Sequence, residues 1–165
     1  MTPTTTDLAS EFKTAFREHP AGVALITAAG PDGPVGLTAS SVASVAVDPP
    51  TLVFSVTRIT GSAGVILAAD TLLVHLLDVR HAGIAHEFAM AEGERFTRNQ
   101  GWKTLPTGEP HLTGTRAALR CRSVKTVPVG SSTLVVAEVL DIHAGETAEA
   151  MIYHDRAFRP TGDPL

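Results

Sequence analysis

The sequence predicts a mainly β domain, a closed or partly closed barrel carrying a few short helices. Three observations predict it. Apolar runs of strand length recur between turn signals, and GVALITA, TLLVHLL and TLVVAEVLDI are the plainest of them. Helical spacing occurs only in short stretches. The glycine fingerprints GxGxxG and GxxxxGK[ST], which belong to parallel α/β nucleotide folds, are absent. With 165 residues the chain is read as one domain, 1–165.

Residues 1–6 read as a frayed tail. From Leu8 to Arg17, the residues Leu8, Phe12, Ala15 and Phe16 share one helical face, with Asp7 as the N-cap. His19-Pro20 stops that helix, because the residue before a proline avoids the helical region. Gly22 to Ala28 is an apolar strand. The dense turn signal Gly30-Pro31-Asp32-Gly33-Pro34 makes it one arm of a hairpin.

Pro34 to Val56 reads as two strands folded back at Asp48-Pro49-Pro50. The first carries the hydroxyls Thr38, Ser40, Ser41 and Ser44. Short hydroxyls beside backbone N–H groups make a donor surface that suits a phosphate or a flat heterocycle rich in acceptors. Thr51 to Thr57 follows as a buried strand, beside which Thr38 to Ser41 are expected. Thr60 and Ser62 then stand at the start of a helix, Ala63 to Ala69, as caps or as part of an anion site.

Thr71 to Leu77 is a strand in which His75 interrupts an apolar run. It is either a buried hydrogen-bonded histidine or a polar contact to a ligand. Ala82 to Met90 is helical, with Ile84, Ala85 and Phe88 on one side. Glu92 to Glu109 is polar and irregular, with Phe96 and Trp102 as anchors or as covers for a flat ligand. Ala117 to Val127, Thr133 to Ile142 and a short run around Met151 to Tyr153 complete the strands. Pro128 to Ser131 turns the chain between the first two of these.

A formal net charge of −4 and scattered basic residues argue against nucleic-acid binding. No basic start with an apolar core opens the chain, and no apolar run is long enough to span a bilayer, so a cytoplasmic protein without a membrane partner is expected. The single cysteine, Cys121, excludes an intrachain disulfide and reads as a buried, inert thiol. The seven histidines form no tight ligand pair, so no metal site is expected. No GxSxG is present, which argues against a serine hydrolase.

GLTASS (Gly36–Ser41), then Ser44-Val45, then Asp48-Pro49-Pro50 resembles the signature of the flavin reductase family. That family has the FMN-binding split β-barrel, Greek-key-like in its connections, and includes reductase components of two-component flavin-dependent monooxygenases. The similarity continues through Phe16-Arg17, His19-Pro20, TRITGS, HEFA, the pair Arg95-Phe96, Trp102 and Gly108 to Cys121. It implies that Thr38, Ala39, Ser40 and Ser41 meet the isoalloxazine edge and ribityl chain. Ser55, Val56 and Thr57 continue that wall, Phe96 is a further cofactor-binding residue, and Thr60 and Ser62 hold the phosphate. Two positions depart from the pattern. His75 stands where the family has an Asn, and Ser132 stands where many members have a histidine near the flavin and nicotinamide.

The resemblance implies an NAD(P)H:flavin oxidoreductase using FMN or FAD with NADH or NADPH. It also implies a homodimer that supplies reduced flavin to a separate monooxygenase. Two alternatives remain on the same barrel. One is a flavin enzyme acting directly on a small organic substrate, and the other is a non-enzymatic flavin- or haem-binding module.

Overall fold

A computed structural model describes residues 5–165, in the element order α1 (Thr5–Glu18), β1 (Ala21–Gly22), β2 (Ala24–Gly30), β3 (Gly33–Ala39), β4 (Ala43–Val47), β5 (Pro50–Thr57), α2 (Ser62–Ala68), β6 (Leu72–Leu76), α3 (Ala82–Ala89), β7 (Trp102–Thr104), β8 (Pro110–Leu112), β9 (Ala117–Val129), β10 (Ser132–Ala144), β11 (Met151–His154) and β12 (Ala157–Pro160). Residues 1–4 of the expected tail lie outside the described residues, and Thr5 and Thr6 are already helical. Asp7 therefore lies in the first turn of α1 rather than at its N-cap. A carboxylate there still complements the helix dipole.

The main sheet is antiparallel with strand order β3-β2-β6-β9-β10-β5-β4. Its two edge strands, β3 and β4, are consecutive in the chain. Laid flat, seven strands would set those edges about 29 Å apart. The link from Ala39 to Ala43 reaches at most about 14 Å. The sheet must therefore curl until its edges approach, and this is the barrel.

The same fact corrects the expectation for Pro34 to Val56. The stretch forms three strands, and the hairpin closed at Asp48-Pro49-Pro50 joins β4 to β5. β3 pairs only with β2, because the chain crosses the seam at residues 40–42. The β9–β10 turn is also tighter than read, since β9 runs on to Val129 and the connection is Gly130-Ser131.

β2 and β6 are buried on both faces, which explains their unbroken apolar runs. Ala24, Ile26, Leu72 and Val74 face the barrel interior with Phe54, Val135 and Cys121. Leu25 and Leu77 face outward, into a second core with Phe88 of α3, Leu112 of β8 and Met151 of β11. His75 lies on this outward face and is fully buried. Its Nδ1–H donates to the Leu25 carbonyl at 2.9 Å, and its Nε2 accepts from the Leu112 amide at 3.0 Å. Thr27 adds a bond to the Pro110 carbonyl at 2.7 Å. Two polar side chains thus bolt β8 to the sheet, and of the two readings of His75 the structural one holds.

The excursion from residue 91 to 112 is tied down again by Glu109, which is 1% exposed. Its carboxylate accepts from Arg120 Nε at 2.7 Å, from Thr71 at 2.5 Å and from Thr107. Burial opposes that charge, but the hydrogen bonds prevail and hold the Glu109 pKa at about 2. Phe96 and Trp102 pack together at 4.6 Å between centroids, and Phe88 lies against both. They are anchors of the excursion. Cys121 is buried, and burial pushes its thiol pKa up to about 12, so the thiol is inert.

Candidate functional site

β5 ends at Thr57 on one side of a turn, and α2 starts at Ser62 on the other. Between them the backbone takes positive φ at Arg58 (65°) and at Gly61 (61°). Glycine adopts that conformation freely. At Arg58 it costs about 1 kcal/mol. The turn is strapped to the β9–β10 hairpin by the Arg58 amide, which donates to the Ser131 carbonyl at 3.1 Å.

This turn forms one end of a groove of about 450 Å³, whose other walls come from β3, α3 and the segment after α3. Leu37, Ala63, Phe88 and Met90 make an apolar wall. Thr57, Thr60 and Ser62 make a hydroxyl end, flanked by Arg58 and Arg95. No Asp or Glu lines it, although the chain as a whole is acidic. Gly36 also lines the groove, and its backbone comes so close to Phe88 that a Cβ there would stand 2.8 Å from the ring.

Arg95 crosses the groove wall. Nη1 donates to Ser62 Oγ at 3.2 Å and to the Gly36 carbonyl at 3.4 Å, and Nη2 donates to the Met90 carbonyl. The guanidinium lies over the Phe88 ring at 5.5 Å. Nε is buried without a hydrogen-bond partner. Among the described residues no carboxylate pairs with Arg95 or Arg58.

The residues predicted from sequence do not all meet in one place. Thr57, Thr60 and Ser62 meet in the groove. Ser40, Ser41 and Ser55 lie at the barrel seam, where Ser41 Oγ accepts from the Ser55 amide at 2.9 Å. Thr38 spends its hydroxyl on the Ala85 carbonyl at 2.7 Å, which seats α3 on β3. The side chains of Ala39 and Val56 are buried in the barrel core, so only their backbone is available at the surface. Phe96 belongs to the aromatic anchor rather than to the groove lining. Sequence reading missed Gly36 as the close approach to Phe88, and it missed the two arginines as the groove's charge. Their only signal was Arg95 in the pair Arg95-Phe96.

Ser132 sits opposite Thr57 in the β10–β5 ladder, and their hydroxyls are 3.2 Å apart. It borders a second cavity of about 530 Å³, which also takes in Arg58, Ile59, Ser131 and Thr133. Arg58 lines both cavities. An apolar wall that accepts a flat ring, joined to a hydroxyl and guanidinium end without acids, fits a heterocycle bearing a phosphate.

The family model for the flavin reductase like domain matches residues 16–162. An NADH:FMN oxidoreductase of Rhodococcus erythropolis is 37% identical over 158 residues, covering 93% of this chain and 82% of that protein. The crystal structure of a flavin reductase domain protein from Arthrobacter sp. FB24 is 31% identical and superposes with a TM-score of 0.88, covering 95% of this chain and 97% of that one. The Streptomyces globisporus C-1027 NADH:FAD oxidoreductase SgcE6, solved in complex with NAD and FAD fragments, is 26% identical with a TM-score of 0.82, covering 92% of this chain and 91% of that one. Among the described residues no helix is long and apolar enough to cross a membrane.

Proposed function

Because this chain belongs to the flavin reductase like domain family, we propose that the groove beside Ser62 takes FMN and that the protein reduces it with NADH. The observation that carries this reading is the pairing of an apolar wall with an acid-free, hydroxyl- and arginine-bearing end in one groove. Thr60 and Ser62 hold the phosphate. Leu37, Ala63 and Phe88 bound the groove's apolar side. Ser40, Ser41 and the backbone around Ser55 line the approach to the ring edge.

Bound flavin supplies the ring that accepts a hydride, and the redox chemistry is its own. The protein's share is to exclude water, fix one ring and leave the facing surface open to a nicotinamide. Holding both rings at contact converts a bimolecular encounter into an intramolecular step. The Ser40 hydroxyl and the backbone N–H groups at Ser40 and Ser41 favour the negative charge that the reduced ring gains, since the Ser41 hydroxyl hydrogen is given to the Ser55 carbonyl. No side-chain acid or base is needed, so Ser132 in place of a histidine is compatible with turnover. The second cavity beside Ser132 and Thr57 is the proposed approach for the nicotinamide nucleotide.

A homodimer is part of the proposal. Phe12 and Phe16 of α1 and Val45 and Val47 of β4 are exposed apolar side chains on the single chain, and such surface favours association. Reduced flavin released into solution reacts with oxygen, so a separate flavin-dependent monooxygenase is the proposed consumer. The proposed setting is the cytoplasm, where NADH is supplied.

NADH oxidation in air by the purified protein tests the function. Turnover that requires added FMN and saturates with it is expected. Absence of turnover with both FMN and FAD, under conditions where flavin binds, would overturn the reductase reading.

A further inference from the structure

The geometry points to Arg95 as the residue that makes this groove selective for a phosphorylated flavin over an unphosphorylated one. The inference rests on the flavin reading of the groove and adds to it a specific donor of charge.

A guanidinium has five N–H donors. Three of those on Arg95 are engaged, and every acceptor is neutral: the Ser62 hydroxyl and the carbonyls of Gly36 and Met90. The Nε–H is buried with no acceptor at all. The positive charge is therefore held in place without an anion to neutralise it. With both Nη1 hydrogens engaged and Nε buried, one Nη2 hydrogen and the charge itself are left to attract a phosphate. Ser62 Oγ, already accepting from Arg95, still has its own hydrogen to give to the same anion.

Arg58 lines the same groove but carries no comparable weight. It is exposed, so water and salt screen its charge. Arg95 is partly buried and fixed at three points, which keeps its field strong and its ordering cost low. The chain's net charge of −4 repels a phosphate at long range, so a local cation must outweigh it.

The test compares FMN, riboflavin and NAD+ on the full chain, with dissociation constants from flavin fluorescence and equilibrium dialysis. The wild type is expected to bind FMN more tightly than riboflavin, with an advantage that shrinks as salt rises. Arg95→Gln is expected to weaken FMN about 10- to 100-fold and riboflavin less than about 3-fold. Arg95→Lys keeps the charge without the three fixed bonds of the guanidinium and should fall between them, and it carries the test if circular dichroism shows Arg95→Gln unfolded. Equal losses for FMN and riboflavin would make Arg95 a purely structural residue and overturn the inference. So would a wild type that binds riboflavin as well as FMN, although the flavin reading would then stand. A loss confined to NAD+ would overturn it and assign the cation to the nicotinamide nucleotide. A wild type that binds no flavin removes both the inference and the reading beneath it.

Discussion

The Ser41 hydroxyl both accepts from the Ser55 amide, at 2.9 Å, and donates to the Ser55 carbonyl, at 3.2 Å. One side chain thus imitates the two bonds of a strand pair. It does so where residues 40–42 cross between the sheet's two edges, so a serine closes the barrel beside the proposed flavin edge.

Ser41→Ala should therefore act on both stability and binding. Loss of this exposed double bond is expected to cost about 1 kcal/mol, read as a lower urea midpoint with unchanged slope. FMN affinity should fall with it. An unchanged flavin dissociation constant would remove the seam from the site.

Gly36→Ala tests the close approach of β3 to Phe88 at the groove. The new methyl would lie 2.8 and 3.0 Å from atoms of the Phe88 ring and 3.2 Å from Thr27 Cγ2. Phe88 must shift, and it supports Phe96, Trp102 and the Arg95 guanidinium. Destabilisation of about 1–3 kcal/mol by thermal or urea unfolding is expected, together with weaker FMN binding.

His75 sets part of the acid limit of stability. Burial is the main cause that lowers its pKa to about 3; the bond to the Leu25 carbonyl opposes this, and the neighbouring histidines reinforce it. The unfolded chain takes up this proton near the ordinary histidine value of 6.5, whereas the folded chain does so only near 3. The contribution is complete above 6.5, declines as the pH falls and is exhausted below 3. Between pH 6.5 and 5 the wild type should lose about 2 kcal/mol through this group. His75→Asn should lack that slope while being less stable at pH 7, as denaturant unfolding at the two pH values will report.

Glu109→Gln breaks a nearly buried pair and leaves Arg120 without its anion. A cost of about 2–3 kcal/mol is expected, towards the lower end for such pairs because Arg120 is 21% exposed. The folded carboxyl titrates near 2, below its ordinary 4.5, so the wild-type advantage should persist at pH 5 and above and disappear as the pH falls through that window. Urea unfolding at pH 7 and pH 3 measures both.

Ser132→His introduces a titratable ring beside Thr57 and the proposed nicotinamide approach. A higher kcat/KM for NADH is expected, with little change in FMN affinity. A fall in both would mean that the Thr57–Ser132 contact matters more to this chain than the missing imidazole.

Local pattern made much of this readable. Period-two burial in β5, glycine and proline at the β2–β3 turn, and the short α2 and α3 follow from nearest-neighbour chemistry, which acts within a few residues. The error at Pro34 to Val56 has the opposite cause. A run of strand-forming residues says nothing about which partner each strand takes. Thr38 and Ser41 are three residues apart, yet one serves α3 and the other serves β5.

By itself the sequence determined the class of fold, the family and the hydroxyls of the 57–62 turn, because these reside in composition, order and local motif. Only the tertiary structure decided that β3 and β4 form opposite edges, that His75 and Glu109 are fasteners, and that Arg95 stands at Ser62 without a counter-charge. The physical reason is distance along the chain. Ser62 and Arg95 are separated by 33 residues, and their meeting depends on how two sheet edges and an excursion pack together rather than on either segment's own preferences.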